Sequence, residues 1–362
     1  MTEREKEILD IIRRNPMISQ QELADTLGIT RSSAAVHITN LVKKGFIAGK
    51  GYVLKEADYV AVVGGANIDI QGFVSKPLIL KDSNPGNVRI SLGGVGRNIA
   101  ENLVKLGIQT KLFSAVGDDV YGKKLMEESR SSGIDMDHCL MLKNASTSTY
   151  LSILDHDGDM AAAVSHMDIF DNFSVDFLKN HGPILNNAQL IVLDTNIPQA
   201  SIEFLITHFK DCFFFLDTVS TSKALKVKEI IGAFHTIKPN KYEAEVLSGI
   251  SIVSTLDAEK ACDYFLNQGV QQVFISMGKD GICYGDHQHT RFLSVPEIHV
   301  VNATGAGDAF MAGLVFGFLQ KYTLDQSARF ATAASIFALS HKDTIHPMMS
   351  AKNVQNIMKE LI

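Results

Sequence analysis

The run Val301-Asn302-Ala303-Thr304-Gly305-Ala306-Gly307-Asp308-Ala309-Phe310-Met311-Ala312-Gly313 gathers the residue types needed to hold and move a phosphoryl group. Gly305 and Gly307 allow a backbone to approach a ligand closely. The N–H groups of a first helical turn, with the helix dipole, attract an anion. Asp308 sets a carboxylate where that anion would arrive, although an anion cradle alone would exclude an acid. A general base accounts for it. Asp308 would take the proton of an acceptor hydroxyl while an anion hole of Thr304, Gly305, Ala306 and Gly307 holds the transferring group. The same residues also read as a tight turn whose helix Asp308 caps. A β-rich run, Ile298 to Val301, is expected to lead in, and a long apolar helix, Ala309 to Leu319, to lead out.

A second glycine-rich motif lies far upstream, Gly93-Gly94-Val95-Gly96-Arg97-Asn98-Ile99-Ala100. Thr304-Gly305-Ala306-Gly307-Asp308 resembles the carboxy-terminal signature of the ribokinase/PfkB family of small-molecule kinases. The upstream motif falls where that family has its glycine pair. Two motifs in that order are specific where one would not be, and the likeness extends over roughly residues 58–345.

The resemblance implies transfer of the γ-phosphoryl of ATP, with magnesium (Mg2+), to the 5′-hydroxyl of a ribosyl substrate, a nucleoside or sugar. Asp308 would be the base. Asn67, Asp69, Asn98 and Thr149 would hold the substrate, and Gly93 and Gly94 would hinge a lid that excludes water. Asn240 and Glu243 match an Asn-x-x-Glu pattern that organises magnesium-bound water around the triphosphate. Helix capping by Asn240, with Glu243 as its reciprocal partner, is the alternative for the same pair. Ser276, Gly278 and Gly281 would contact ATP. Many members carry Asp where this chain has Asn302, and that Asp helps hold a monovalent cation. The missing charge leaves potassium (K+) dependence open.

These residues need a scaffold that brings distant strand ends together. Beyond residue 57 the pattern alternates strands and helices, which argues for a largely parallel sheet covered on both faces. Tyr59 to Gly64, Leu190 to Leu193, Phe213 to Leu216, Phe234 to Ile237 and Val273 to Ser276 read as its strands. Asn67 and Asp69 would lie at or just past the carboxyl end of the first, where ligands of open α/β sheets gather. Segments near 70–92 and 147–165 alternate as strands and would form a separate small sheet over the substrate. The fold class expected is a ribokinase-like three-layer α/β sandwich with a mainly parallel sheet and a small β lid. Ala328, Ala331, Ala334 and Ala338 form a small-residue helical face that could pack beside adenine. Gly117-Asp118-Asp119-Val120-Tyr121-Gly122-Lys123-Lys124 imitates a P-loop but lacks the final hydroxyl and carries two carboxylates. It reads as a capped helix start.

Residues 1–56 read as a separate domain of three helices and a β-ribbon, and residues 57–362 as the kinase-like domain. Ser19-Gln20-Gln21-Glu22 is a capping-box pattern, and Thr30 caps a third helix with Ala34, Ile38 and Leu41 on one side. Phe46-Ile47 and Tyr52-Val53-Leu54 would flank a glycine-rich tip. The set resembles the winged helix-turn-helix of bacterial transcription regulators. On that likeness the third helix enters the DNA major groove, with Arg31, Ser32, Ser33 and His37 as base readers and Lys43, Lys44 and Lys50 on phosphates. A homodimer is expected by the same analogy. A winged helix used only for dimerisation or protein contact is the alternative.

The net charge of −6 is uneven: residues 1–56 carry nine Lys/Arg against seven Asp/Glu, so the remainder holds −8. Charge alone therefore does not mark a nucleic-acid binder. Cys139, Cys212, Cys262 and Cys283 are scattered, which favours buried thiols over a zinc or disulfide framework. The charged amino terminus and the lack of a spanning apolar run point to a cytoplasmic protein without a membrane partner.

Overall fold

The structure is a computed structural model, and it describes residues 2–14, 16, 18–47, 58–156 and 159–361. Contacts divide the chain into two compact units, Met1–Asp58 and Tyr59–Ile362.

In the first unit, helices Glu3–Arg14, Gln20–Leu27 and Arg31–Lys43 enclose an apolar core that includes Ile8, Ile12, Leu23, Ala34, Ile38 and Leu41. Ser19 and Glu22 form the reciprocal capping box: Ser19 Oγ accepts from the Glu22 N–H at 3.2 Å, and Glu22 Oε2 from the Ser19 N–H at 2.8 Å. Gly28 then ends the helix at φ +63°, and Thr30 caps the third. Arg31, Ser32 and Lys43 are exposed, and Ser33 and His37 half-buried. Lys44 is different, because its ammonium is 2.7 Å from the buried Glu5 carboxylate. The ribbon tip, Lys50 and the second ribbon strand lie outside the described residues.

Among the described residues the second unit holds three sheets. Its strands are β1 Val60–Val63, β2 Asn67–Val74, β3 Gly86–Gly93, β4 Thr110–Phe113, β5 Ala115–Gly117, β6 Leu140–Leu142 and β7 Thr149–Leu154. They continue with β8 Met160–His166, β9 Leu190–Asp194, β10 Phe214–Asp217, β11 Thr236–Ile237, β12 Gln272–Ser276, β13 Ile282–Gly285 and β14 Thr290–Leu293. The main sheet has the order β14-β13-β12-β11-β10-β9-β1-β4, and it is parallel from β12 to β4. Side chains on a strand alternate faces. Val60 and Val62 accordingly join one buried cluster, and Ala61 and Val63 the other. Burial on both faces explains why these strands read as continuous apolar runs.

The lid is a four-stranded sheet, β3-β2-β7-β8, built from the two expected segments. Asn67 and Asp69 belong to it rather than to the tip of β1: the chain bends at Gly64-Gly65-Ala66 and enters β2 at once. Asp119 caps helix Val120–Ser131, accepting from the Gly122 N–H at 2.7 Å, as the rejected P-loop run suggested.

Three expectations need correction. Ile298 to Val301 is not a strand; the chain leaves the sheet after Leu293, and the Val301 N–H donates to Leu339 O at the end of helix Leu324–Leu339. Local β-propensity yields there to tertiary placement. The alanine face is buried against protein, and none of its four residues lines the larger cavity. Ala331 packs against Gly313 of helix Ala306–Leu319, where an added Cβ would stand 2.6 Å from the Ala331 Cα. Small residues on both helices permit that approach. Of the cysteines, Cys262 and Cys283 are buried, but Cys139 and Cys212 are only half-buried.

Candidate active site

The parallel strands deliver their carboxyl ends to one edge of the sheet. Gly64 and Gly65 follow β1, Asp194 ends β9, Asp217 ends β10, Lys238 follows β11 and Ser276 ends β12. Helices Val95–Lys105 and Ala306–Leu319 begin at glycines, and among the described residues no side chain caps either. Gly94 lies at φ +99° with Gly65 O only 2.5 Å from where a Cβ would be. Gly305 lies at φ +84°, and its Cβ would stand 2.4 Å from Thr344 O. Both positions combine a left-handed backbone with a close approach, which only glycine tolerates.

Asp308 is buried in the first turn of its helix. Asn98, one turn into the other helix, donates from Nδ2 to Asp308 Oδ2 at 2.9 Å, so the two glycine motifs meet. Burial and the neighbouring Asp217 carboxylate push the Asp308 pKa up to about 7, against the Asn98 hydrogen bond and the Lys238 ammonium. A carboxyl poised near neutrality suits proton transfer. Asp194 is also pushed up, to about 6, mainly by burial, although it accepts from the Gly65 N–H at 2.7 Å and the Asn196 N–H at 2.8 Å. Asp217 pairs with Lys238 at 3.0 Å.

Asn240 and Glu243 form the capping box that opens helix Lys241–Ser248. Glu243 is buried and accepts from Asn240 N (2.8 Å), Asn240 Nδ2 (2.8 Å) and Thr218 Oγ1 (2.6 Å). Asn240 also bridges to Ser276, whose N–H donates to Pro239 O at 3.0 Å. Asn302 accepts the Thr304 N–H at 2.9 Å and donates to Lys342 O at 3.0 Å, so the Thr304 amide is held within its own loop.

Two cavities flank the cradle. The larger, about 700 Å³, has Ser276, Gly278, Gly281, Ala306 and Gly307 in its walls, together with apolar side chains such as Phe310 and Leu339. That size and lining suit a nucleotide-sized ligand. The smaller, about 290 Å³ and polar, is lined by residues including Asp69, Arg97, Thr304 and Lys342. Asn67 Nδ2 donates to Asp69 Oδ1 at 2.6 Å, while burial raises the Asp69 pKa against that bond and the Arg97 charge. Gly93 faces Asn67 across the lid, and a Cβ there would stand 2.3 Å from Asp69 Oδ2. Thr149 begins β7 beside Ile68.

Of the set expected from sequence, Ser276, Gly278 and Gly281 line the larger cavity with Ala306 and Gly307, Asp69 and Thr304 line the smaller, and Asn67, Thr149, Asn240 and Glu243 line neither. Lys238, Asp194 and Asp217 were visible only as strand-end residues. A lysine or acid closing a buried apolar strand was the available signal.

The pfkB family carbohydrate kinase description matches residues 57–351, and a winged helix-turn-helix DNA-binding description matches residues 1–48. The chain belongs to the PfkB family of carbohydrate kinases, and its larger unit has the ribokinase-like fold. It is 39% identical over 359 residues to the uncharacterised sugar kinase YeiI of Escherichia coli, covering 99% of both chains. It is equally 39% identical over 307 residues to the pseudouridine kinase of the same organism, covering 84% of this chain and 98% of that one. A solved structure of a putative sugar kinase from Clostridium perfringens is 40% identical with a TM-score of 0.76, over 84% of this chain and 96% of the other.

Proposed function

We propose that this kinase transfers the γ-phosphoryl of ATP to the 5′-hydroxyl of pseudouridine. The observation that carries the chemistry is the buried Asp308–Asn98 pair at the uncapped start of helix Ala306–Leu319. Asp308 accepts the hydroxyl proton, and the Gly305–Gly307 backbone offsets charge on the phosphoryl oxygens. ATP occupies the larger cavity against Ser276, Gly278 and Gly281. Asn67 and Asp69, with Thr149 and Gly93 in the lid and Gly94 at the start of the next helix, hold the ribose on the other side.

Glu243 already accepts three protein hydrogen bonds. That donor set fits a magnesium ion that stays on the triphosphate and keeps its waters, with Glu243 and Asn240 orienting them. Magnesium supplies charge neutralisation on the triphosphate when bound. Asn302 offers a neutral oxygen already used by Thr304, which gives a potassium ion little to bind.

The substrate assignment draws on the likeness to pseudouridine kinase; another nucleoside or sugar is the alternative, since YeiI is as similar. ATP consumption with magnesium across pseudouridine, uridine, adenosine, inosine, ribose and fructose tests it. Pseudouridine is expected to give the highest kcat/KM. A higher value for any other acceptor retires that substrate.

Residues 1–56 add a DNA-binding function on this reading, supported by the helix-turn-helix match and by Arg31, Ser32 and Lys43 standing exposed on one helix. Ser33 and His37 complete the reading face, and Lys44, engaged by Glu5, contributes less. Gel-shift titration of the DNA upstream of its own gene is expected to show binding that weakens with salt. Arg31→Ala with Lys43→Ala is expected to cost about tenfold or more in affinity. No binding at low salt removes this function.

A further inference from the structure

A buried ammonium needs a compensating partner, because a charge taken out of water is costly unless paired. Lys238 has one. Its side chain is 8% exposed and lies 3.0 Å from Asp217, itself 7% exposed. Pairing alone, however, does not explain where the ammonium is placed. Lys238 lines the larger cavity together with Ala306 and Gly307, and a Cβ built on Gly307 would stand 3.2 Å from its Nζ. The ammonium therefore lies beside the Gly307 backbone, where the reading above docks the incoming phosphoryl group.

The surrounding charge gives this position a purpose. Asp217 and Asp308 act on one another as like charges, and Asp194 adds to them. A triphosphate arriving beside ionised Asp308 meets repulsion that neutral amides offset only partly. Lys238 acts on Asp308 with the opposite sign and sits at the cradle itself. Lys279 also lines the cavity but is exposed, so water screens it. An ammonium has three donors, and Asp217 is the ion-pair partner found among the described residues.

We propose that Lys238 is a catalytic residue that binds the γ-phosphoryl group of the nucleoside triphosphate, held in place by Asp217. This rests on the kinase reading above. In the transfer, the acceptor oxygen bonds to the γ-phosphorus, the bond from that phosphorus to the bridging oxygen breaks, and ADP leaves. The hydroxyl proton passes to Asp308. Lys238 keeps its protons throughout and offsets charge on the transferring oxygens, where a desolvated cation acts most strongly.

Two variants test it in the full-length chain. Lys238→Met leaves Asp217 buried and unpaired, so loss of stability is expected. Lys238→Met with Asp217→Asn removes both charges and is expected to recover thermal stability. Turnover is expected to fall about 10²–10³-fold in both, with acceptor KM unchanged. Lys238→Arg, which keeps a cation, is expected to regain part of it. The second readout is equilibrium binding of a non-hydrolysable ATP analogue and of ADP, each with magnesium and no acceptor. Wild-type protein is expected to prefer the triphosphate, and the variants to lose about tenfold of that preference while ADP binding holds. A folded double variant with wild-type turnover and wild-type preference overturns the assignment and leaves Lys238 as a structural ion pair. If wild-type protein phosphorylates none of the acceptors, the kinase reading fails separately, and the binding ratio still decides on Lys238.

Discussion

Asp308→Asn is expected to lower kcat by about 10²–10⁴-fold without weakening ATP binding. The substitution keeps the shape of the side chain and removes the proton acceptor. A variant retaining most of the wild-type rate would take Asp308 out of this role. The pH profile supplies a second check. Because burial and Asp217 push the Asp308 pKa up to about 7, wild-type turnover is expected to rise with pH through about 7 and then level. Stability runs the opposite way. The folded-state pKa of Asp308 lies above its unfolded value, so its stabilising contribution is complete below the ordinary value of 3.8 and is lost as pH rises through about 7. Asp194, pushed up to about 6, acts with the same sign. At pH 8 the Asp308 charge therefore destabilises the fold, and Asp308→Asn is expected to raise Tm by on the order of several degrees. Thermal melts of both proteins at pH 5 and pH 8 should show the wider gap at the higher pH. An inactive protein with an unchanged or lower Tm at pH 8 would contradict the electrostatic account of the site.

Gly305→Ala carries the second large effect. The new Cβ meets Thr344 O at 2.4 Å and Thr344 Cγ2 at 2.8 Å, on a backbone held at φ +84°. Strain of this kind costs about 1–3 kcal/mol, and relief requires the helix start to shift. A displacement on the order of 1 Å at a site that aligns reacting atoms is enough for about 100-fold in rate. Gly107→Ala is the matched control: φ is +88°, but nothing lies within 4 Å of its Cβ, and it lies outside the site. Its expected loss is confined to backbone strain, with turnover close to wild type. Equal kinetic losses in the two variants would show that the cradle tolerates movement and that close approach to Thr344 is not what positions it.

Much of the fold was legible because its elements carry strong local signals. Burial on both faces makes β1, β9 and β10 continuous apolar runs, and period-2 alternation marked the lid strands. Ser19 with Glu22 and Asn240 with Glu243 announced capping boxes that the structure contains. Signals that depend on neighbours were read less well. Ile298 to Val301 has the composition of a strand but pairs with none, because its Val301 N–H is taken by Leu339 O at a helix end. The alanine face of helix Leu324–Leu339 suited a flat ligand as well as a second helix, and Gly313 decided for the helix.

By itself the sequence determined the family, the order of the two units, and the chemistry available at Asp308, because glycine spacing and one out-of-place carboxylate are local properties. Tertiary structure decided how that carboxylate behaves. Asn98 reaches Asp308 across 210 residues, and Asp217, Asp194 and Lys238 come from three different strand ends. Their mutual burial moves the Asp308 pKa toward neutrality and sets a cation at the cradle. Charge–charge interaction depends on distance through space and on the dielectric around the pair, and neither is written along the chain.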